Sequence, residues 1–322
     1  MLRSRPRIVV SRHLPDDVEA RALRLFDSHL NTGDQRLDSA TLHQLAGTAD
    51  GLLVCLTDRL DAEAIKALPP GVRIVATFSV GYDHIDLGAA RARGLVVTNT
   101  PDVLTEATAD IALLLMLGAA RRATEAQTML REGRWGAWTP TGLLGTHLGG
   151  KRLGLVGLGR IGRAFAHRAR ACGMEIHYHG PRRQPATLEE GAVFHPSLES
   201  LLGISDVLSL HAPSTPETRN LIDAAALAAL PAGAILVNTA RGDLVDDEAV
   251  IAALTSGRLR AAGLDVFRGE PQLHPAYVSL PNAFLLPHMG SATEETRAAM
   301  GHRCLDNLEA FFAGREPADR IA

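Results

Sequence analysis

Residues 153–171 read LGLVGLGRIGRAFAHRARA, and the fold is decided there. A short β-branched strand, 153–156, runs into Gly157, Gly159 and Gly162, then into an amphipathic helical stretch, 163–171. The first glycine permits a tight turn, the second lets backbone approach a pyrophosphate, and the third allows helix and strand to pack closely. The helix N-terminus presents N–H groups and a positive dipole end to an anion, and the backbone amides of Arg160 and Ile161, which open the helix, are expected phosphate contacts. A structural glycine turn is the rival reading, since the chain has 30 glycines. The strand before and the helix after favour a dinucleotide site.

The following strand, 175–179, bears on which dinucleotide. An NAD-preferring site places Asp or Glu near its end to hold the ribose 2′-OH. Here the strand runs into Gly180-Pro181-Arg182-Arg183, with no acid and two arginines. An arginine fork suits a 2′-phosphate, so NADPH is expected as the preferred donor and NADH as the alternative. The other reading of this turn is a solvated basic loop.

Outward from this unit, β-branched runs alternate with helix-period segments along the whole chain. Residues 7–11, 51–55, 73–77 and 95–98 read as buried parallel strands, and a long helix is expected over about 105–122. After a polar loop, 133–150, strands follow at 153–156, 175–179, 207–210, 234–238, 260–266 and 283–286. The segment 291–312 reads as a last helix. The expected class is α/β with two doubly wound parallel sheets. The chain has 322 residues, 46% hydrophobic and 21% charged, which is enough for two domains with their own cores. A formal charge of −3 gives no electrostatic reason to bind nucleic acid or an anionic membrane. Cys55, Cys172 and Cys304 are distant and odd in number, as expected of cytoplasmic thiols rather than a disulfide frame or a zinc site. The start, Met1 to Arg7, is basic, but the apolar run after it is too short for a signal-peptide core. The longest apolar stretch, 111–120, is half of what spans a bilayer.

Three further stretches place chemistry just past predicted strands, where α/β sheets bind ligands. Asn238-Thr239-Ala240-Arg241-Gly242 supplies an arginine. Asp265 and Glu270 flank the end of the next strand, and His288 follows the last. A histidine trades a proton near neutral pH, and a carboxylate beside it fixes one tautomer and favours the imidazolium. An arginine nearby binds a carboxylate and polarises a carbonyl. With a hydride donor at the glycine loop, these parts suit reduction of a 2-oxo acid. His177 and His179 point the same way on one strand, but with no third ligand in view no metal is expected.

Five motifs in order, 79–86 (SVGYDHID), 157–162, 238–243, 263–271 and 287–293, resemble the D-isomer-specific 2-hydroxyacid dehydrogenases over nearly the whole length. The resemblance implies a Rossmann-type nucleotide domain, 101–288, inserted into a flavodoxin-like substrate domain, 1–100, with 289–322 returning to the latter. It implies His288 as general acid, Glu270 as its partner, and Arg241 on the substrate carboxylate and carbonyl. Backbone N–H groups of Val80 and Gly81 would hold the carboxylate, and Leu56 would line the side-chain pocket. Asp265 would anchor the nicotinamide carboxamide. Other cofactor positions implied are Thr105, His211, Ala212, Pro213, Thr218, Thr239, Ala240 and Gly290, beside Gly157 to Gly162, Gly180, Arg182 and Arg183. For Thr105 and Thr218, an N-cap is the competing role. The segments 57–59, 99–106 and 134–135 resemble the NADPH-dependent glyoxylate/hydroxypyruvate reductase branch, and the family resemblance implies a homodimer joined through the nucleotide domains. Trp138, beside Trp135, is a candidate to reach the partner subunit's site, or else simply packs. Rival readings are another substrate specificity within the family and a dinucleotide-sensing corepressor-like protein of the same fold.

Overall fold

The computed structural model describes residues 5–322; most of the basic start, residues 1–4, lies outside them. The chain divides into two compact units, 1–104 with 291–322, and 105–290. The sequence placed the divisions after residues 100 and 288; they fall after 104 and 290. Residues 101–104 stay with the first unit, where the Asp102 carboxylate acts on Arg303 of the C-terminal segment.

The first unit contains β1 (Arg7–Val10), α1 (Asp16–Leu25), β2 (Asp27–His29), α2 (Ser39–Ala46), β3 (Gly51–Val54), α3 (Ala62–Ala67), β4 (Ile74–Thr77), α4 (Leu87–Arg93) and β5 (Val96–Thr98). Its all-parallel sheet runs β2-β1-β3-β4-β5, the flavodoxin-like order. Alternate strand residues serve the two faces. Val9, Leu52, Val54, Val75 and Val97 pack with Leu42, Ile65 and Ala90 from α2, α3 and α4. Opposite them lie α1 and the C-terminal helix (Glu294–Phe312), which approach so closely that a Cβ on Gly301 would stand 2.6 Å from Val18. Asp38, Asp61 and Asp86 cap α2, α3 and α4 by accepting amide hydrogen bonds.

The second unit begins with α5 (Thr105–Ala120) and α6 (Ala123–Arg131). It continues through β6 (Arg152–Val156), α7 (Arg160–Ala171), β7 (Glu175–His179), α8 (Ala186–Glu189), β8 (Val193–His195), α9 (Leu198–Leu202) and β9 (Val207–Leu210). Then come α10 (Ala224–Ala229), β10 (Ala234–Asn238), α11 (Asp247–Thr255), β11 (Leu259–Leu264), α12 (Ala276–Ser279) and β12 (Ala283–Leu285). The parallel sheet runs β12-β11-β10-β9-β6-β7-β8, which is the Rossmann order with one strand added at an edge. Leu153, Leu155, Ile235 and Val237 face Leu115 and Met116 of α5 and Phe165 of α7. Leu208, Leu210, Leu236 and Leu264 face Leu227 of α10 and Val250 and Leu254 of α11. Each such leucine, fully buried, contributes about 1.5–3 kcal/mol. The backbone of α5 comes closest to the sheet at Gly263, where a Cβ would stand 2.7 Å from the Leu115 carbonyl oxygen.

Two strands were missed in the sequence, β2 and β8. Both are three-residue edge strands, β2 polar throughout (DSH) and β8 (VFH) with no fully buried residue, so neither produces a buried apolar run. The expected helix over 105–122 stops at Ala120, and after Arg122 in the left-handed region (φ 56°) α6 begins.

Candidate active site

The Rossmann switch point lies between β6 and β9. Gly157, with φ +100°, passes the β9 end so closely that a Cβ would sit 2.8 Å from the His211 carbonyl oxygen. A Cβ on Gly162 would stand 2.3 Å from the Gly157 carbonyl oxygen, so this position holds helix against loop. Gly159 differs: nothing lies within 4 Å of its Cβ position, and it opens α7 without a side-chain cap. Among the described residues the amides of Gly159 and Ile161 donate to no protein acceptor. Open space and unsatisfied N–H groups at a helix start are what a pyrophosphate requires, so these residues fit a dinucleotide.

At the end of β10, Thr239 is buried and its hydroxyl has no partner among the described residues. Ala240 follows, half-buried. His211 accepts or donates to Ser209 Oγ through Nε2 at 2.9 Å, and burial pushes its pKa down to about 4, so it lines the crevice as a neutral ring. Ala212 is half-buried and Pro213 exposed. Thr218 serves its own loop, donating to the Pro213 carbonyl at 2.7 Å and accepting the Thr215 amide at 2.8 Å. Thr105 is the first residue of α5.

Beyond β7, the two arginines are not equivalent. Arg183 forks onto Glu189 at 2.9 and 3.1 Å, and Glu189 also accepts the Tyr178 hydroxyl at 2.5 Å. That fork is occupied, so the expectation that both arginines face a 2′-phosphate is corrected. Arg182 is exposed and has no partner among the described residues. Gly180, with nothing within 4 Å of its Cβ position, leaves the turn open beside it.

The chemistry-bearing turns follow β10, β11 and β12. Asn238, fully buried, accepts the Ala240 amide at 2.9 Å and donates to the Arg241 carbonyl at 2.8 Å. It thereby closes the turn that carries Arg241, whose guanidinium donates to the Ala240 carbonyl at 2.8 Å. Gly242 then lies directly against the next loop, where a Cβ would meet the Phe267 carbonyl carbon at 2.0 Å. Arg268 ties the same loops through the Val245 carbonyl at 2.7 Å. Sequence reading passed over Asn238, Gly242 and Arg268. An Asn at a strand end two residues before a turn amide is an Asx-turn signal that would have found the first.

Glu270 Oε1 accepts the Phe267 amide at 2.7 Å, and Oε2 stands 2.6 Å from His288 Nδ1. Burial works to raise the Glu270 pKa, but the hydrogen bond and charge of His288, the Phe267 amide and the charge of Arg241 outweigh it and hold it below the usual value. An ionised carboxylate only accepts, so His288 Nδ1 carries the hydrogen. Nε2 is then left without a partner among the described residues, able to deliver a proton outward. His288 sits at φ 55°, a conformation that costs roughly 1–2 kcal/mol in a non-glycine residue. Asp265 holds it there: its two oxygens accept the Met289 and Gly290 amides at 2.6 and 2.8 Å, and its carbonyl accepts the His288 amide at 2.8 Å. Thr108 Oγ1 donates to the Gly290 carbonyl at 3.1 Å. Burial pushes the Asp265 pKa up to about 6. Asp265 thus shapes the histidine turn, a role that 24 residues of sequence separation conceals.

In the first unit, Val80 and Gly81 follow β4. Three successive carbonyls are engaged: Ser79 by the Thr100 amide (3.0 Å), Val80 by Asn99 Nδ2 (2.8 Å) and Gly81 by Ser79 Oγ (2.7 Å). Among the described residues the amides of Val80 and Gly81 donate to nothing, so this loop presents N–H groups as an anion nest. Leu56 is 40% exposed, whereas Phe78 and Ser79 are buried, leaving Leu56 as the accessible apolar residue of that group. In the second unit, Trp135 and Trp138 are 67% and 82% exposed. No helix among the described residues is long and apolar enough to cross a membrane.

Comparison with known proteins agrees with this geometry. Residues 113–290 match the model of the D-isomer specific 2-hydroxyacid dehydrogenase, NAD binding domain. A glycerate dehydrogenase of Hyphomicrobium methylovorum is 44% identical, over 99% of this chain and 100% of its own length. A glyoxylate reductase of Thermococcus litoralis is 40% identical, over 98% and 97%. Among solved structures, an NADPH-dependent glyoxylate/hydroxypyruvate reductase of Sinorhizobium meliloti, in complex with NADP and malonate, superposes with a TM-score of 0.89 at 39% identity, covering 99% of this chain and 97% of that one. Such relatives support 2-hydroxyacid reductase activity. Two parallel α/β sheets, a dinucleotide cradle and a full-length likeness make this chain an oxidoreductase belonging to the D-isomer-specific 2-hydroxyacid dehydrogenase family.

Proposed function

We propose that the protein reduces small 2-oxo acids, foremost glyoxylate and hydroxypyruvate, to D-2-hydroxy acids, with NADPH preferred over NADH. The observation that carries the reading is the 2.6 Å pairing of His288 Nδ1 with an ionised Glu270, which leaves Nε2 as the proton-bearing face. Gly157 to Gly162 would hold the pyrophosphate, with Thr239, Ala240, His211 and Gly290 lining the remainder of the site. A reduced nicotinamide, when bound, supplies the hydride. Arg241 binds the substrate carboxylate and polarises the carbonyl, and the family resemblance gives the Val80 and Gly81 amides as carboxylate donors. His288 Nε2 gives its proton to the carbonyl oxygen as the hydroxyl forms, and Glu270 stabilises the imidazolium beforehand. In the oxidising direction the same nitrogen takes that proton back.

For the cofactor, the absence of an acid after β7 and the unpaired Arg182 support NADPH. The relative from Sinorhizobium meliloti, solved with NADP, points the same way. Exposed Trp135, Trp138, Leu130 and Leu144 support a homodimer built on this face, with Trp138 directed at the partner. The three free thiols support a cytoplasmic location.

The test is loss of reduced-nicotinamide absorbance with glyoxylate or hydroxypyruvate, NADPH against NADH. Turnover with NADPH faster than with NADH is expected, and His288→Ala should lose roughly 10²–10⁴-fold while still binding cofactor. Undiminished turnover in that variant refutes the mechanism. Cofactor binding without turnover of any 2-oxo acid would favour the sensor reading.

A further inference from the structure

In the first unit, Arg297 has no carboxylate partner among the described residues. The inward stripe of the C-terminal helix carries Met300, Cys304 and Leu308, each 3% exposed or less. One turn earlier on that stripe stands Arg297, half-buried. Its Nε donates to the Ser291 carbonyl at 3.2 Å. Among the described residues no carboxylate pairs with it, and its two terminal nitrogens donate to nothing. Neighbouring arginines differ: Arg303 forks onto Asp319 at 2.5 and 2.8 Å, and Arg21 reaches Asp306 at 2.6 Å. The buried carboxylate of Asp58 forms no ion pair with Arg297: Oδ2 accepts the Ser11 hydroxyl and the Cys55 amide, and Oδ1 has no partner among the described residues. Burial holds Arg297 below its ordinary pKa.

The helix direction fixes where this guanidinium lies. Phe312, at the helix C-terminus, comes within 3.2 Å of the Cβ position of Gly51, the first residue of β3. The helix therefore runs antiparallel to the strands, and Arg297 lies roughly 22 Å back along it, at 1.5 Å per residue. That places it at the carboxyl ends of β3 and β4, where it senses the Cys55 thiol. The same strand ends carry Leu56 and the Val80–Gly81 amides. An arginine half-removed from water without an anion is costly, and it is sustained where a ligand supplies the anion.

Resting on the 2-oxo-acid reading above, we propose that Arg297 is a specificity-determining residue that binds an oxygen-bearing substituent on the carbon beyond the reacting carbonyl, a hydroxyl or a second carboxylate. The Val80–Gly81 amides take the α-carboxylate and Arg297 takes the far end, so polar-tailed 2-oxo acids are selected over alkyl ones.

Hydroxypyruvate and pyruvate differ by one hydroxyl, which makes them the probe. Arg297→Met should lower the ratio of kcat/KM for hydroxypyruvate to that for pyruvate by roughly ten- to a hundredfold, the scale of one hydrogen bond to a charged group. Arg297→Lys should recover part of the ratio. Equal losses on both substrates, or an unchanged ratio, would overturn the assignment. Calorimetric binding of tartronate against D-lactate to the cofactor-loaded protein separates this claim from the reductase reading. If the wild type reduces neither substrate, that reading fails, yet selective weakening of tartronate in Arg297→Met still supports the subsite. Equal weakening, or no binding of tartronate by the wild type, rejects it.

Discussion

Substituting Gly242 by alanine puts a methyl group into a space that the next loop occupies. The added Cβ would stand 2.0 Å from the Phe267 carbonyl carbon, 2.2 Å from the Arg268 nitrogen and 2.4 Å from the Phe267 oxygen. All three are backbone atoms, so no side chain can rotate away. Reaching an ordinary carbon contact of about 3.5 Å requires the two loops to part by roughly 1.5 Å. One loop carries Arg241, and the other carries Glu270, whose Oε1 is bonded to the Phe267 amide at 2.7 Å and whose Oε2 positions His288 at 2.6 Å. A misplacement near 1 Å at such a constellation costs about a hundredfold in rate. The expected loss in kcat/KM is therefore on the order of a hundredfold, about 2.7 kcal/mol of transition-state stabilisation. Overpacking should also lower stability by about 1–3 kcal/mol. The assay is steady-state reduction of glyoxylate and hydroxypyruvate, with cofactor affinity and melting temperature measured on the same preparations. Cofactor affinity should fall less than kcat/KM, because the glycine loop that would hold the pyrophosphate follows a different strand. Activity within twofold of wild type would refute the claim that Gly242 sets the spacing of Arg241 and the Glu270–His288 pair.

Other expectations separate residues that look alike in sequence. Gly159→Ala meets no protein atom, so the variant should melt like the wild type while its KM for cofactor rises at least roughly tenfold, because the methyl group enters the space left for the pyrophosphate. A cofactor KM equal to wild type would show that this space is not the binding cradle. Arg182→Ala should raise the KM for NADPH several-fold more than that for NADH, whereas Arg183→Ala should chiefly loosen the turn by releasing Glu189, seen as a lower melting temperature. The reverse pattern would place the 2′-phosphate on Arg183. Asp265, raised to about 6 by burial, binds its proton more tightly folded than unfolded. Its contribution is favourable at low pH and is lost as pH climbs from about 4 to about 6. The stability of wild type relative to Asp265→Asn, from denaturant titrations across that window, should fall with rising pH; a rise would contradict the assignment.

Much of the fold could be read locally because most strands of a doubly covered parallel sheet are continuous apolar runs; ten strands were read in sequence, although β7 (EIHYH) is not such a run. β2 and β8 were not read, because edge strands bury too little to leave a pattern. The glycine loop was legible for a related reason: each glycine answers a local backbone requirement, and that requirement is written into the spacing. Glu270 and His288 were legible by resemblance and by their place after strands. Their 2.6 Å contact was not, because it depends on two loops from different strands.

By itself, then, the sequence determined the alternation of elements, the dinucleotide loop and the residue types available for acid–base chemistry, all of which rest on neighbours within a few positions along the chain. Only the tertiary structure decided which of those residues work together. It showed Arg183 already occupied by Glu189 and Asp265 gripping the histidine turn. It showed Gly242 packed directly against the loop that leads to Glu270, and Arg297 on the inward stripe of its helix with no carboxylate partner among the described residues. Each is a matter of which groups from distant positions are brought within hydrogen-bond reach and removed from water, and burial and pairing of that kind have no signature in local spacing.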